Sequence, residues 1–458
     1  MTVKKKLIEV ALPLETINRE SAREKSIRHG HPSTLHLWWA RRPLAACRAV
    51  LFASLVDDPS VHPEKFPSVA EQQEERERLF KIIEDLVKWE NINNEKVLNR
   101  AREEILKSTG GNPPPVLDPF CGGGSIPLEA QRLGLEAHGS DLNPVAVMIT
   151  KALIEIPPKF AGRLPVNPQA RSSELSKGSW PGAQGLAADI RYYGEWMREE
   201  AEKRIGHLYP KVKLPPEYGG GEATVIAWLW ARTVQCPNPA CGVRMPLVSS
   251  FWLSTKRGEK AWAQPVIDQE KKEVCFKVRT GDGAPPKGTV NRQGAKCIFC
   301  NSPVPFAHIR KEGQARRMGS QLMAIVTEGT SGRIYVSPSQ SHEDIITKID
   351  PEGIPESYLP EQALGFRVQS YGMKKHCDLF TPRQLTALTT FSDLVTKARD
   401  KVYRDAVAAG YPDDVVGLEE GGSGARAYAE AICVYLAFGV NRLADRCSSI
   451  CSWDVTRD

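Results

Sequence analysis

The sequence predicts an α/β protein with a helical N-terminal region and an inserted β-rich module. Three observations lead to this expectation: apolar residues at helical spacing before residue 110, a strand–glycine turn–helix–strand pattern at 116–141, and two cysteine pairs within 223–310. The regions expected are 1–110, a helical domain with a basic Trp-rich segment; 111–222, the first part of an α/β core plus a helix; 223–310, the cysteine-bearing insertion; and 311–458, a mixed and helical region.

The composition is that of a globular protein with two or three domains, since 41% of the 458 residues are hydrophobic and 25% are charged. A net charge of +6 permits an anionic partner without requiring one. We expect no membrane span, because no run of about 18 apolar residues occurs. The N-terminus lacks the apolar core of a signal peptide. The eleven cysteines therefore indicate reduced thiols or metal ligands, and we expect a cytoplasmic location.

Helix signals occur on both sides of the glycine pattern. Residues 69–108 predict an amphipathic helical hairpin, and 45–55 predict a buried helix opened by Pro43. Thr381, Pro382 and Gln384 form a capping-box signal for a helix that Gly410 ends, and a further helix is expected over about 425–445. The Pro-, Gly- and Ser-rich residues 161–186 predict a loop or linker.

The stretch VLDPFCGGGSIPLEA, residues 116–130, predicts a short buried strand, a glycine turn and a helix. Three consecutive glycines let the backbone turn sharply and leave room for a ligand against it, and the helix N-terminus adds free N–H groups. Asp141 ends the next strand, where an acid can accept hydrogen bonds from ribose hydroxyls. No Gly-Lys-Ser/Thr follows, so this is not a P-loop. The order of elements therefore predicts a nucleotide-like cofactor pocket.

Two cysteine pairs indicate a structural metal site. Cys236 and Cys241 form the first pair, and Cys297 and Cys300 the second. Four thiolates close a tetrahedral zinc site with no open position, so we expect structural zinc, with four unconnected buried cysteines as the alternative. Cys275 stands alone in a strand-like run and is expected in the core.

The N-terminal segment around Trp38 and Trp39 is basic and aromatic. Three interpretations stay open: indoles that stack on bases while cations neutralise phosphates, a structural helix with buried tryptophans, or packing against the glycine loop. The nucleic-acid interpretation singles out Arg28, Trp38, Trp39, Arg41 and Arg42. The further basic residues nearby are Arg23, Lys25, His29, His31 and His36.

Together these motifs resemble one family over nearly the whole chain. HPSTLHLWWARRPLAA, LDPFCGGGSIPLEAQRLG, SDLNPVAV, RYYGEWMREEAEKRIGHLYP and DLFTPRQLTALTTFSDLV are similar to signatures of putative adenine-specific DNA methylases with an inserted zinc ribbon and a shared N-terminal domain of unknown function. The resemblance implies a partial Rossmann-like S-adenosylmethionine methyltransferase core. It also implies that DNA is the acceptor. The implied cofactor-binding residues are Asp118, Pro119, Phe120, Cys121, Gly122, Gly123, Gly124, Asp141 and Asn143.

One expected motif is absent from the 458 residues. The family places an Asp-Pro-Pro-Tyr type tetrapeptide, whose polar groups orient the target amine, after the ribbon and following helices. The nearest match, NPPP at 112–115, lacks the aromatic residue and precedes the first strand. The catalytic residues are therefore unknown. We expect this chain to be the N-terminal part of a split or truncated methylase, with a second chain supplying the tetrapeptide. The strand ending at Asp118 would then be an exposed apolar edge.

Two other functions stay open. The motif DPFCGGG also resembles that of some tRNA guanine methylases, which makes an RNA amino-methyltransferase possible. The missing tetrapeptide instead favours a non-catalytic nucleic-acid-binding subunit whose glycine loop is a relic. A nucleophilic role for Cys121 is disfavoured by its position inside the loop.

Overall fold

The computed structural model describes residues 4–172, 179–329, 332–347, 349–361 and 365–456, and the chain is a mixture of helices and strands, consistent with the α/β class. The helices are α1 (Leu14–Glu24), α2 (Leu44–Leu55), α3 (Val69–Leu86), α4 (Glu95–Ser108), α5 (Ser125–Arg132), α6 (Pro144–Ile154), α7 (Ile156–Lys159), α8 (Pro168–Ser172), α9 (Gln184–Ile205), α10 (Phe306–Gln314), α11 (Gln340–Thr347), α12 (Pro382–Ala408) and α13 (Ala425–Arg446). No helix in these ranges is long and apolar enough to span a membrane.

The strands are short apart from β5 and β12. They are β1 (Val116–Asp118), β2 (Ala137–Gly139), β3 (Val212–Lys213), β4 (Glu222–Ala223), β5 (Val225–Gln235), β6 (Arg244–Leu247), β7 (Trp252–Ser254), β8 (Ala261–Asp268), β9 (Glu273–Thr280), β10 (Gly294–Lys296), β11 (Pro303–Pro305), β12 (Gly319–Gly329) and β13 (Gly332–Val336). The chain divides into two compact units, the first of residues 1–196 and 395–442, the second of residues 197–394 and 443–458.

An apolar core of the first unit runs from α1 to α5. The hairpin of α3 and α4 is confirmed, and its predicted apolar stripe is buried. Phe52 of α2 and Leu133 after α5 belong to the same core. The helix after the glycine turn therefore packs on the N-terminal helices, which fixes the turn relative to the basic aromatic segment.

Strands β1 and β2 form a parallel two-stranded sheet, with Val116 opposite Ala137 and Asp118 opposite Gly139. The strand, glycine turn, helix and second strand occur in the predicted order. The prediction that β1 is buried is wrong, because Leu117 is 67% exposed. Among the described residues β1 pairs with β2 alone, which agrees with the expectation of an exposed apolar edge at this strand.

Two helices of the first unit are joined through a buried carboxylate. Asp189 of α9, fully buried, accepts hydrogen bonds from the Tyr428 hydroxyl of α13 at 2.5 Å and from the Val166 amide at 2.8 Å. Burial raises the pKa of Asp189 despite these donors. The predicted loop over 161–186 contains α8 and the start of α9, while its residues 173–178 lie outside the described residues.

The second unit is mainly antiparallel sheet. A four-stranded sheet has the order β13-β12-β5-β6, and a three-stranded sheet the order β7-β8-β9. The β-branched and aromatic residues of VIAWLWARTVQ explain why β5 is extended. The expectation that Cys275 is a core residue is wrong: it lies in β9 with an exposed side chain, because β9 alternates buried and exposed positions.

The capping box at the start of α12 is confirmed. The Thr381 amide donates to Gln384 Oε1 at 2.9 Å, and the Gln384 amide donates to Thr381 Oγ1 at 3.3 Å. Pro32–Thr34 form a single 3-10 turn. Pro43, as predicted, directly precedes α2.

Candidate functional site

The glycine turn is held by two acidic side chains, one on the last residue of β1 and one just after β2. Asp118 Oδ1 accepts a hydrogen bond from the Phe120 amide at 3.1 Å. Asp141 Oδ2 accepts from the Gly122 amide at 3.0 Å, and its Oδ1 accepts from the Asn143 amide at 2.9 Å. A carboxylate offers about four acceptor positions. Asp141 therefore fixes the turn and keeps capacity for a ligand.

Two of the three glycines adopt a conformation that other residues rarely enter. Gly122 has φ of +49° and Gly124, which directly precedes α5, has φ of +73°. This left-handed conformation costs residues with a Cβ roughly 1–2 kcal/mol. The turn thus needs glycine for its own backbone, apart from any ligand.

Trp38 and Arg41 lie against the glycine turn. A Cβ built on Gly122 would stand 2.6 Å from Trp38 Nε1, and one on Gly123 would stand 3.0 Å from Arg41 Cγ. The Trp38 ring stacks on Trp39 at a centroid distance of 4.3 Å. Trp39 itself is 82% exposed. Of the three interpretations of this segment, packing against the loop is what the structure contains, and Trp39 remains available to solvent.

A pocket of about 390 Å³ lies between the glycine turn and the tryptophan segment. Six of the predicted cofactor residues line it, together with four of the predicted nucleic-acid residues. These are Asp118, Phe120, Cys121, Gly122, Gly123 and Asp141 on one side and Trp38, Trp39, Arg41 and Arg42 on the other. Pockets of roughly 300–1,000 Å³ are typical of small-molecule and cofactor sites.

Three predicted cofactor residues do not line the pocket. Pro119 lies behind the turn, where its carbonyl accepts from the Ser140 hydroxyl at 3.3 Å. Asn143 caps α6 by accepting from the Val145 amide at 2.9 Å. The side of Gly124 where a Cβ would project faces Thr150 of α6. Their roles are thus in shaping the turns around the pocket.

The sequence reasoning missed three pocket residues, Ala40, Ser125 and Ile126. Ser125 and Ile126 open α5, so the rule that ligands approach helix N-termini was a signal that could have found them. Ala40 follows only from its position between Trp39 and Arg41, and no local signal marks it.

Cys121 has the environment of a packed thiol. It is 5% exposed, and its Sγ accepts a hydrogen bond from the Thr150 hydroxyl at 3.2 Å. Burial raises the pKa of this thiol. A thiol with a raised pKa is a poor nucleophile, which agrees with a role as a small loop residue.

Four cysteines of the second unit form a cluster that could hold a metal ion. The Sγ atoms of Cys236, Cys241, Cys297 and Cys300 all lie within 4.8 Å of one another. The Sγ–Sγ distance is 3.7 Å for Cys236 and Cys300 and 3.9 Å for Cys241 and Cys297. All are far longer than a disulfide bond of about 2.05 Å.

The turns that present the two cysteine pairs have the geometry their sequences suggest. Gly242 and Asn301, which follow each pair, have φ of +62° and +63°. A left-handed residue reverses the chain directly after each second cysteine. This brings two pairs, which are 56 residues apart between Cys241 and Cys297, into one cluster.

Comparison with known proteins identifies a family that matches the N-terminal region. The family described as "Protein of unknown function (DUF1156)" matches residues 11–82, which include Trp38, Trp39, Arg41 and Arg42 of the pocket. No curated protein and no solved structure matches the chain.

Proposed function

We propose that this chain is an S-adenosylmethionine-dependent methyltransferase, or its cofactor-binding part, that acts on an exocyclic base amine of DNA, with adenine as the first candidate. The family resemblance suggests this activity. One observation carries it further: the pocket between the glycine turn and Trp38–Arg42 combines groups suited to the methyl donor with groups suited to a nucleic-acid acceptor. The β1–turn–α5–β2 unit would be the first part of a Rossmann-like core.

The pocket residues divide by chemistry. Asp118 and the glycines would face the methionine part of the cofactor, and Asp141 would hold the ribose with its remaining acceptor positions. The cofactor supplies a methyl group on a positively charged sulfur. Transfer to an amine needs no covalent enzyme intermediate, so positioning of the two reactants carries the rate. The packed thiol of Cys121 is compatible with that mechanism.

We further propose that the four-cysteine cluster binds zinc in a ribbon-like module. Thiolates about 2.3 Å from a tetrahedral zinc ion stand about 3.8 Å apart. Two of the Sγ–Sγ distances, 3.7 Å and 3.9 Å, fit that separation. Four protein ligands leave no open position, so the ion would be structural.

A second polypeptide is part of the proposal. Parallel sheets are normally covered on both faces, and two strands alone are marginal. Leu117 of β1 is nevertheless 67% exposed and Phe120 is 80% exposed. We propose that a chain carrying the Asp-Pro-Pro-Tyr type tetrapeptide adds a strand beside β1 and completes the active site.

A non-catalytic nucleic-acid-binding subunit is the second candidate. The basic tryptophan segment favours it, because Trp39 is 82% exposed beside Arg41 and Arg42. In that case the basic tryptophan segment would bind nucleic acid, and the glycine turn would have no cofactor.

Calorimetric titration with S-adenosylmethionine tests the proposal. We expect wild type to bind and Asp141→Ala to lose at least about tenfold in affinity, because charge-assisted hydrogen bonds to ribose contribute about 1.5–3 kcal/mol. Glu74→Ala removes an exposed acid of α3 and serves as the matched control. Absence of binding in a folded wild-type sample would overturn the cofactor assignment and favour the non-catalytic subunit.

A further inference from the structure

A second pocket of about 210 Å³ lies beside the first and shares part of its wall. The shared residues are Trp38, Trp39, Arg41 and Arg42. The rest of its wall comes from α1 and the turn that follows, including Ser21, Lys25 and Arg28. Whatever fills this pocket therefore lies next to the occupant of the proposed cofactor pocket.

The cations around this second pocket have no carboxylate partners among the described residues. Arginines elsewhere in the N-terminal helices do: Arg23 pairs with Glu90, Arg76 with Asp58, and Arg100 with Asp85. Within the part of the chain that the structure describes, no such ion pair involves Lys25, Arg28, Arg41 or Arg42, although Glu24 attracts Arg41 at longer range. The wall therefore carries more positive than negative charge, which favours an anionic ligand.

The acid in the pocket wall, Glu24, already has hydrogen-bond partners within the protein. Glu24 is 8% exposed, and its carboxylate accepts from the Leu44 and Ala45 amides, each at 3.0 Å. It also lies 2.9 Å from His31 Nε2. Glu24 therefore serves as the cap of α2, and its single negative charge cannot balance four cations.

One hydroxyl of the wall lacks a partner. Ser21 Oγ is buried and has no hydrogen-bond partner among the described residues. Buried hydroxyls normally have one, so a donor without a partner beside uncompensated cations indicates a ligand acceptor. Phosphate oxygens accept from both hydroxyls and cations.

We propose that the second pocket is a phosphate subsite for the acceptor, in which Lys25, Arg28 and Arg42 hold one phosphodiester of the nucleic acid. This inference rests on the proposed function, because it places the acceptor backbone beside the methyl-donor pocket. Trp39, which is exposed and stacked on Trp38, would then lie between the nucleic-acid strand and the methyl-donor pocket, on the path of the target base. A free mononucleotide presents the same phosphate chemistry, so the experiment includes both.

The test is fluorescence anisotropy of a labelled single-stranded 12-nucleotide DNA with the full chain over a series of salt concentrations. We expect the Lys25→Ala/Arg28→Ala double variant to bind about tenfold more weakly and to lose about 0.7 from the slope of log affinity against log salt, the value for one phosphate contact on a single strand. Lys81→Ala/Lys96→Ala, two exposed lysines of α3 and α4, removes the same charge and should retain the wild-type slope.

Unchanged affinity and slope in the Lys25→Ala/Arg28→Ala variant would overturn the inference. So would competition by dAMP or inorganic phosphate at concentrations equal to those of the oligonucleotide, because the pocket would then serve a small free ligand. Titration of the same variant with S-adenosylmethionine separates the two proposals. A variant that retains S-adenosylmethionine binding but binds DNA more weakly supports the phosphate subsite. A wild-type chain that binds DNA but does not bind S-adenosylmethionine overturns only the proposed function.

Discussion

The indole of Trp38 closes the space above Gly122, since a Cβ on that glycine would stand 2.6 Å from Trp38 Nε1. This contact joins the segment matched by the DUF1156 family to the glycine turn. The N-terminal region is thus a wall of the candidate pocket.

Gly122→Ala should damage the pocket through this contact. The substitution adds backbone strain of roughly 1–2 kcal/mol and drives a methyl group into the indole. Gly110→Ala is the matched control, because Gly110 has φ of +63° with nothing within 4 Å of a Cβ. We expect Gly122→Ala to lower the thermal midpoint more than Gly110→Ala and, under the proposed function, to abolish S-adenosylmethionine binding. Equal midpoints for the two variants would contradict the contact with Trp38.

The buried pair of Arg48 and Glu129 should stabilise the packing of α2 on α5. Their side chains are 1% and 0% exposed, with Nε and Oε2 3.2 Å apart. Arg48→Met leaves the buried Glu129 carboxylate paired with Arg132 alone, and we expect a loss of about 1–3 kcal/mol, measured by hydrogen exchange of α2 amides. Arg48→Met/Glu129→Met should recover most of that loss.

The exposed pair of Arg100 and Asp85 provides the comparison for this prediction. Arg100 Nη2 lies 2.8 Å from Asp85 Oδ2 with half of the arginine side chain exposed. Arg100→Met should cost less than about 1 kcal/mol. A similar cost for Arg48→Met would mean that the buried pair does not fix α2 on α5.

Protonation of Glu24 at low pH should lower the stability of the fold. Burial by itself would raise the pKa of Glu24, but hydrogen bonds from His31 and the Leu44 and Ala45 amides outweigh it and lower the pKa. The unfolded chain therefore binds the proton more tightly, so this contribution is complete above the ordinary glutamate pKa of about 4.3 and is lost as pH falls below it.

Glu24→Gln should flatten that pH dependence. We expect the variant to have a lower thermal midpoint at pH 6, with a loss of about 1–3 kcal/mol from a weakened cap and buried hydrogen bonds. Its midpoint should fall less than that of wild type between pH 6 and pH 3. Glu103→Gln, an exposed position of α4, should follow the wild-type profile. A Glu24→Gln profile parallel to wild type would contradict the assignment.

The cysteine cluster should hold one metal ion per chain. Cys297→Ser removes a buried ligand, whereas Cys275→Ser replaces an exposed thiol outside the cluster. We expect elemental analysis to find zinc in wild type and Cys275→Ser but little in Cys297→Ser. Limited proteolysis should then cleave Cys297→Ser within residues 223–310, because structural zinc stabilises its fold directly. Equal zinc in both variants would exclude the cluster as the site.

Local sequence patterns were enough to predict the individual elements of the fold. The apolar stripe of α3, the capping box at Thr381, and the glycines with positive φ at Gly122 and Gly124 each follow from interactions within a few residues. The two cysteine turns likewise follow from Gly242 and Asn301, which tolerate a left-handed backbone.

Tertiary structure decided where these elements meet. Three features depend on long-range packing, which no local pattern encodes. Trp38 covers Gly122, Glu24 caps α2 from twenty residues away, and Leu117 is exposed. Asp141 illustrates both contributions. The sequence pattern predicted an acid at the end of a strand, and the tertiary structure brings its carboxylate to the Gly122 amide, from which it accepts a hydrogen bond. The physical reason is that propensity and periodicity act over a few residues, while a pocket forms where separate elements bury a common core.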